Sequence, residues 1–285
     1  VSHIKPEIRQ DGRAFVMNYE EGVTKKQRVI RSSFGKKVVV STDIANCFNS
    51  VYSHSIPWAL VGIGTAKANR SNKEWFNQID MYARSCKRNE TLGMPIGSGT
   101  SSIIVETILS VIDDELKKEN YEFERYVDDY TCYCKNDSQA ESFIISLEAK
   151  LSAFKLSLNL NKTTTTNLPH PHDDDWILEL LSCLPSKTSI TIDDKTKEVY
   201  LTPESLTFLN NALRINKETP DGSVLKYALQ LISSSLDVLT ADTIFLETLN
   251  LSWHYPILLP FLEKISANYE INMQPYEAQL NQVII

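Results

Sequence analysis

The chain has 285 residues, of which 42% are hydrophobic and 23% charged, which is enough to bury one large core or two smaller ones. It contains no apolar run near the roughly 18 to 20 residues of a membrane span, and its first ten residues are too polar for a signal peptide, so we expect a cytoplasmic protein with no membrane partner. Five cysteines are too few for a disulfide scaffold and predict reduced thiols.

The net charge of −7 is unevenly distributed along the chain. Residues 1–162 contain 22 basic and 20 acidic residues, whereas the remainder contains 7 basic and 16 acidic residues. Only the first part is therefore suited to hold a polyanion. Within it, Lys25 to Lys37 (KKQRVIRSSFGKK) has six basic residues and no acidic one. This stretch suits phosphate contact, and a solvated basic strand face is the alternative interpretation.

The first elements in chain order are a strand and a group of helices. Val38–Val40 is a β-branched apolar run that predicts a buried strand, and it leads into Asp43. A mostly helical stretch follows to about residue 88. The segment GMPIGSGT (residues 93–100) predicts a turn, after which Ser101 or Ser102 caps a helix of apolar positions at helical spacing.

A hairpin, a helix and a further strand complete the predicted sheet. Tyr121–Val127 and Tyr130–Cys134 predict two strands that are joined at Asp128 and Asp129. A helix is expected at 138–154, and KLSLNLNK (155–162) alternates apolar and polar residues as a strand does. Strands interleaved with helices predict an α+β fold in which helices cover one face of an antiparallel sheet.

The remainder of the chain, 169–285, predicts a mostly helical region. A hairpin is expected near 189–201, followed by amphipathic helices at 203–216 and 223–239 and around Leu246 and Leu262. One apolar stripe predicts core packing rather than a cofactor site: Leu225, Ala228, Leu229, Ile232 and Leu236.

The adjacent aspartates of the hairpin suggest a metal site. Two neighbouring carboxylates repel each other, and Asp43 ends a buried strand that can pair beside them, which would gather Asp43, Asp128 and Asp129 at one edge of the sheet. Oxygen-only ligands favour Mg²⁺ or Mn²⁺, and two such ions can bind the attacking and leaving oxygens of a phosphoryl transfer. A solvated turn with two aspartates is the alternative.

Four segments in order resemble the palm motifs of reverse transcriptases. The segment YVDD (126–129) resembles their catalytic box, STDIANCF (41–48) their first aspartate box, GMPIGSGTSSIIVETILSVID (93–113) the box that supports nucleotide and template, and LSLNLNKT (156–163) the strand that carries a lysine. Four boxes in the expected order form a specific signal, where one alone would be weak. The resemblance implies a right-hand polymerase with partial fingers and palm in 1–168 and a thumb-like region in 169–285.

Finer features resemble the bacterial abortive-infection, or "unknown group", reverse transcriptases of phage defence. These features are YSHSIPWALVG (52–62), IG at 96–97, RYVDDY (125–130) and the phrase LNNALRINKETPDGSVLKYAL. The resemblance implies DNA synthesis from dNTPs in anti-phage defence, in some members without a template and primed by a protein hydroxyl. An RNA-templated enzyme of the retron or group II intron kind and a non-catalytic nucleic-acid-binding scaffold remain as alternatives, and a homo-oligomer stays open.

The resemblance assigns roles to matching residues. Asp43, Asp128 and Asp129 would hold two Mg²⁺ or Mn²⁺ ions, with the backbone of Ile44 near the triphosphate. Phe48 matches the steric gate against a ribose 2′-OH, with an ordinary core phenylalanine as the alternative.

The remaining assigned residues belong to the nucleotide and triphosphate contacts. Gly97 would let the backbone approach the nucleotide or would only shape the turn, and Lys162 would act on the leaving pyrophosphate or would only be a solvated lysine. Only 42 residues precede Asp43, which is short for a fingers region. Arg28, Arg31 and Lys37 are the candidate triphosphate contacts there.

Other conspicuous residues predict packing. Cys132 and Cys134 would face one side of a strand as core residues rather than as a zinc site. The four tryptophans, Trp58, Trp75, Trp176 and Trp253, are expected to be buried anchors. His54, in YSHSIPW, belongs to the resemblance but has no role that the sequence supplies.

Overall fold

The structure is a computed structural model that describes residues 3–6, 15–18, 22–171, 173–192 and 195–283. The chain divides into two compact units, Val1–His172 and Asp173–Ile285. The predicted assignment of 1–168 to fingers and palm and of 169–285 to a thumb-like region stays a prediction. In the described residues no helix is long and apolar enough to cross a membrane.

The strands and helices of the described residues have the following bounds. The strands are β1 His3–Pro6, β2 Phe15–Asn18, β3 Val38–Asp43, β4 Phe123–Tyr126, β5 Asp129–Cys134, β6 Thr164–Asn167, β7 Thr188–Ile192 and β8 Lys195–Val199. The helices are α1 Gly22–Ser33, α2 Cys47–Ser50, α3 Ser55–Val61, α4 Ile63–Ala68, α5 Trp75–Ser85, α6 Gly99–Lys118, α7 Asp137–Ala153, α8 Asp175–Ser182, α9 Thr202–Asn216, α10 Ser223–Ile232, α11 Val238–His254, α12 Leu259–Tyr269 and α13 Glu277–Val283.

A four-stranded antiparallel sheet forms the centre of the first unit. Its strand order is β4-β5-β3-β6, and β1 pairs separately with β2. Strand β3 is short, β-branched and apolar, which suits an inner strand, and its register on β5 runs from Val38 opposite Cys134 to Asp43 opposite Asp129. Because of this register, the last residue of β3 lies beside the first residue of β5.

One apolar core joins this sheet to its helices. Helix α7 packs against β3 and β5, and α6 packs against α7 and α3. Val40, Leu109, Ile112 and Leu147 are fully buried in the cluster that these elements share. Burial of one such side chain stabilises by about 1.5–3 kcal/mol. The predicted α+β class with an antiparallel sheet is confirmed.

The second unit has its own helical core beside a hairpin. Strand β7 pairs with β8, and Tyr200, next after β8, forms a parallel bridge to Leu236. The predicted apolar stripe is buried at every position: Leu225, Ala228, Leu229, Ile232 and Leu236. The predicted helix 223–239 was wrong beyond Ile232, where α10 ends, so Leu236 lies in the segment before α11. The stripe packs with other helices of this unit, as predicted.

Three predictions about local structure were wrong. The basic stretch from Lys25 is not a strand face, because its first part is helix α1. KLSLNLNK is not a strand either, since Leu160–Lys162 is a 3-10 turn and the neighbouring strand is β6. The cap of α6 is Ser98, whose side chain accepts a hydrogen bond from the backbone N–H of Ser101.

The packing predictions hold for the cysteines and fail for two tryptophans. Cys132 and Cys134 are both buried in the core of the first unit. Trp75 and Trp253 are 56% and 59% exposed, because each lies on the solvent side of an amphipathic helix.

Candidate active site

Three carboxylates meet where two strands end. Asp43 is the last residue of β3, Asp129 is the first residue of β5, and the two are paired in the register. Residues directly opposite in an antiparallel pair have their side chains on the same face, so this pairing brings the two carboxylates together. Asp128 lies in the preceding turn. One ligand oxygen from each aspartate lies within 4.8 Å of the other two.

The turn that carries Asp128 has an unusual backbone. Strands β4 and β5 are joined by Val127 and Asp128 alone, because Tyr126 already pairs with Asp129. The predicted position of the bend, at Asp128 and Asp129, was therefore wrong by one residue. Val127 has φ of 55°, a left-handed conformation that costs a β-branched residue about 1–3 kcal/mol. Such a conformation persists only where surrounding contacts hold it.

A buried arginine provides those contacts. Arg125 donates from Nη1 to the carbonyl oxygen of Val127 at 2.8 Å. Its other nitrogens donate to Glu106 Oε1 at 2.6 Å and to Asp113 Oδ2 at 2.8 and 2.9 Å. Tyr130 also donates to Asp113, at 2.9 Å. Helix α6 thus supplies two carboxylates that hold the arginine in place beside the Val127–Asp128 turn.

The electrostatics of this arginine follow from its partners. Burial opposes the charge of the Arg125 guanidinium, but hydrogen bonds to Glu106 and Asp113 outweigh burial and raise its pKa. The sequence reasoning missed this network. The i, i+7 spacing of Glu106 and Asp113 on α6 indicates two acids on one helix face, but it does not indicate which cation they meet.

The triad itself is strained by like charge. Burial raises the pKa of Asp128 and of Asp129, and the neighbouring carboxylates raise both further. Burial, with the charge of Asp128 nearby, also raises the pKa of the Cys47 thiol to about 12. A cation would relieve this repulsion.

Asp43 has two close partners in the turn around Leu160–Lys162. Lys162 Nζ donates to Asp43 Oδ2 at 2.9 Å, and Asn159 donates its backbone N–H to the Asp43 carbonyl at 2.7 Å. The hydrogen bond that Lys162 donates to Asp43, together with the charge of Asp43, raises the pKa of Lys162. Lys162 is thus at the site although it lies in a 3-10 turn and not in the predicted strand.

The donor set fits a hard divalent cation. Carboxylate oxygens are the ligands that Mg²⁺ and Mn²⁺ prefer, and a shared cation removes the like-charge repulsion of the triad. In the described part of the chain, this is the one group of three or more acidic, histidine or cysteine side chains close enough to hold a metal ion.

Ile44 and Phe48, two of the predicted nucleotide contacts, have different surroundings in the structure. The backbone N–H of Ile44 donates to the Asp128 carbonyl at 3.2 Å, so that N–H ties the turn to β3 and is not available to a triphosphate. Phe48 is partly buried against the core, and its carbonyl accepts a hydrogen bond from the Met94 N–H at 2.7 Å. This bond ties α2 to residues 93–98 (GMPIGS), the glycine loop before α6.

Two glycines of that loop adopt left-handed conformations. Gly97 has φ of 91° and open space where a Cβ would lie, which leaves its backbone accessible. Gly93 has φ of 86°, and a Cβ there would lie 3.0 Å from the Asn49 carbonyl oxygen. Gly93 is therefore required for close packing of the loop on α2, a role that the sequence reasoning did not assign.

The basic candidates before β3 are only partly connected to the site. Arg28 forms an ion pair with Glu124 of β4, whereas Arg31 and Lys37 are exposed. The charge of Lys25, in the first turn of α1, lowers the pKa of Asp129 and partly offsets the effects of burial and of the neighbouring carboxylates. The charge of Lys25 thus reaches the triad from the basic stretch.

Comparison with known proteins agrees with the resemblance of the four sequence motifs to those of reverse transcriptases. The family model for reverse transcriptase (RNA-dependent DNA polymerase) matches residues 2–210. This range covers well over half of the chain, and the chain therefore belongs to the reverse transcriptase family. The matched range ends inside α9, beyond the boundary between the two units.

Solved structures of telomerases are among those similar to this chain. One is telomerase from Candida albicans in complex with a fragment of telomeric RNA, with 11% identity, a TM-score of 0.38 and coverage of 92% of this chain and 53% of that chain. Another is apo telomerase from Candida tropicalis, with 12% identity, a TM-score of 0.33 and coverage of 92% and 47%. This chain spans about half the length of those telomerase chains. No curated protein sequence matches.

Proposed function

We propose that this protein is a DNA polymerase that transfers deoxynucleotides from dNTPs to a hydroxyl group and releases pyrophosphate. The main support is the convergence of Asp43, Asp128 and Asp129 in a chain of the reverse transcriptase family. Two like charges at such a distance repel by about 1 kcal/mol or more, whereas each of them attracts a divalent cation that binds between them.

The three aspartates would hold two Mg²⁺ or Mn²⁺ ions. When bound, these ions would activate the attacking hydroxyl and stabilise the charge on the transferred phosphate and the leaving pyrophosphate. In the transfer, the hydroxyl oxygen forms a bond to the α-phosphorus, the bond from that phosphorus to the pyrophosphate oxygen breaks, and the hydroxyl proton passes to solvent.

Side chains beside the triad would select and orient the nucleotide. The Phe48 ring is fixed by its packing against the core, so it would collide with a ribose 2′-OH and favour dNTPs. Lys162 has an exposed ammonium group beside Asp43, and it would balance charge on the pyrophosphate or donate a proton to it. Gly97 would allow close backbone approach to the nucleotide.

The biological setting is proposed from the sequence motifs. YSHSIPWALVG and RYVDDY favour the group of abortive-infection reverse transcriptases, and we place this chain in anti-phage defence with synthesis that is primed by a protein and needs no template. The family description, RNA-dependent DNA polymerase, favours instead an RNA template. DNA product, dNTPs and, in the second case, an RNA strand are the proposed partners.

A non-catalytic scaffold is a weaker proposal. A protein that only bound nucleic acid would have no use for three clustered carboxylates whose like charges repel, and their replacement would stabilise the fold.

The test is incubation of the purified full chain with Mg²⁺ and labelled dNTPs, without template or primer, followed by a denaturing protein gel before and after DNase. Asp128→Ala is the inactive control, and Asp114→Ala, at an exposed carboxylate of α6, is the matched control. Label that stays with the protein, shifts it upward and is removed by DNase supports template-free synthesis if Asp128→Ala abolishes it.

Two other results would change the proposal. Label that requires an added RNA template and primer would support the templated enzyme. An absence of label under both conditions, with folded protein, would refute DNA synthesis and favour the scaffold.

A further inference from the structure

A cavity away from the acid triad lies in the first unit, among residues of α3, α4 and α5, the loop between α4 and α5, and the segment before α3. Its volume is about 340 Å³, within the range of cavities that bind small organic ligands. None of the aspartates of the triad lines it. The residues that give it its chemistry are Tyr52, His54, Trp58, Lys67, Arg70 and Arg84.

The charge of this cavity is positive. Asp80 is the one acidic residue among those that line it, against the cations of Lys67, Arg70 and Arg84. Asp80 is only 4% exposed and is already neutralised, because His54 Nδ1 lies 2.6 Å from its Oδ2 and Arg84 Nε donates to its Oδ1 at 3.1 Å. The remaining positive charge favours an anion, and a phosphate group is the common anion that several cations bind together.

The walls of the cavity are aromatic as well as basic. The rings of Tyr52 and Trp58 are 5.8 Å apart at 61°, and the ring of His54 lies 5.0 Å from Tyr52, edge to face. Lys67 Nζ lies 5.4 Å from the centre of the Trp58 ring. Aromatic rings beside cations are the combination that binds a nucleotide, because the base stacks or packs on rings while the phosphate meets the cations.

The loop that carries Arg70 is held in place before any ligand binds. Asn77 donates from its side chain to the carbonyl oxygens of Asn69 and Ser71 at 2.8 and 2.9 Å. Arg70 Nε also donates to the Lys67 carbonyl at 3.0 Å. An ordered loop loses less conformational entropy when it binds, which favours affinity.

We propose that this cavity binds one nucleotide unit, that is, a base with its phosphate, at a site separate from the acid triad. The ligand is either a free mononucleotide or the terminal nucleotide of a single strand. In this proposal His54 contributes a wall of the site: its Nδ1 is held by Asp80, and its ring lines the cavity. The site also connects to the glycine loop, because Tyr52 forms a backbone bridge to Leu92, directly before Gly93.

The test is photocrosslinking of the full chain with 8-azidoadenosine 5′-monophosphate, followed by mass spectrometry of the modified peptides. EDTA and an Asp128→Asn background exclude nucleotide held at the acid triad. We expect label on the peptide that contains Tyr52 and Trp58. Arg70→Glu should reduce this label about tenfold, because it replaces a charge-assisted contact with a repulsive one.

The matched control is Lys73→Glu, which makes the same change of charge three residues away at an exposed lysine that does not line the cavity. It should leave the label unchanged. Equal loss of label in both variants would overturn the proposal, and so would the absence of label on that peptide with both this probe and the oligonucleotide probe described next.

A second probe separates the two sources of ligand. A single-stranded oligodeoxynucleotide with a photoreactive base at its 5′ end replaces the mononucleotide. Label from the mononucleotide supports a free ligand, label from the oligonucleotide alone supports a strand end, and label from neither overturns the site. These results are independent of DNA synthesis, so a failure of this proposal and a failure of the proposed polymerase activity are distinguishable.

Discussion

Replacement of Arg125 tests whether the buried network supports the Val127–Asp128 turn. In Arg125→Gln, the shorter neutral side chain leaves Asp113 and Glu106 without their cation and the Val127 carbonyl without its donor. Removal of one partner from a buried ion pair costs about 3–5 kcal/mol. The Arg125 side chain is only 6% exposed and that of Asp113 is 12% exposed, so the full range applies. For a unit of this size the melting temperature should fall by about 6–20 °C.

The assay is thermal unfolding of the full chain in EDTA, with Arg214→Gln as the control. Arg214 lies 2.6 Å from Glu179, the same distance as Arg125 from Glu106, but that pair is on the surface with side chains 60% and 43% exposed. Solvent screens such a pair, so the control should change stability far less. Similar losses in both variants, or no loss in Arg125→Gln, would refute the argument from burial.

The remaining predictions concern the triad, the glycine loop and the selection of nucleotides. Asp128→Asn removes one like charge from the triad, so in EDTA it should stabilise the protein by about 1 kcal/mol and raise the melting temperature by about 2–4 °C. Mg²⁺ should stabilise the wild type more than the variant. A variant that melts below the wild type in EDTA would contradict this prediction. Gly93→Ala should destabilise more than Gly97→Ala in urea unfolding, because both force a strained φ but only the first adds a clash with backbone. Phe48→Ala should increase incorporation of rNTPs relative to dNTPs, measured by competition; an unchanged ratio would remove Phe48 as the gate.

The acid triad could be predicted from sequence because each of its parts is local. A β-branched run before Asp43 indicates a strand, two aspartates indicate a turn, and antiparallel pairing then brings strand ends together. The same reasoning placed the turn one residue late. It did so because a valine at positive φ is disfavoured by itself, and only the hydrogen bond from Arg125 and the register of Tyr126 on Asp129 explain it.

The parts that sequence did not predict depend on tertiary contacts. The pairing of Arg125 with Glu106 and Asp113 joins a strand to a helix, and no local pattern specifies which acids a buried arginine meets. Alternation of leucines suggested a strand before Lys162, whereas Leu160 is 73% exposed in a 3-10 turn. Period-2 alternation over so few residues does not separate a strand from an irregular segment with buried leucines.

Incorporation of labelled dNTPs by the wild type and by Asp43→Asn, Asp128→Asn and Asp129→Asn tests the central claim most directly. The assay contains Mg²⁺ and is run without template and again with an RNA template and DNA primer, with Asp114→Asn as the control. We expect synthesis by the wild type and the control, and a loss in each triad variant larger than the roughly 10–100-fold that outer partners of a metal site cost. Undiminished synthesis in a folded triad variant would contradict the assignment of the metal site.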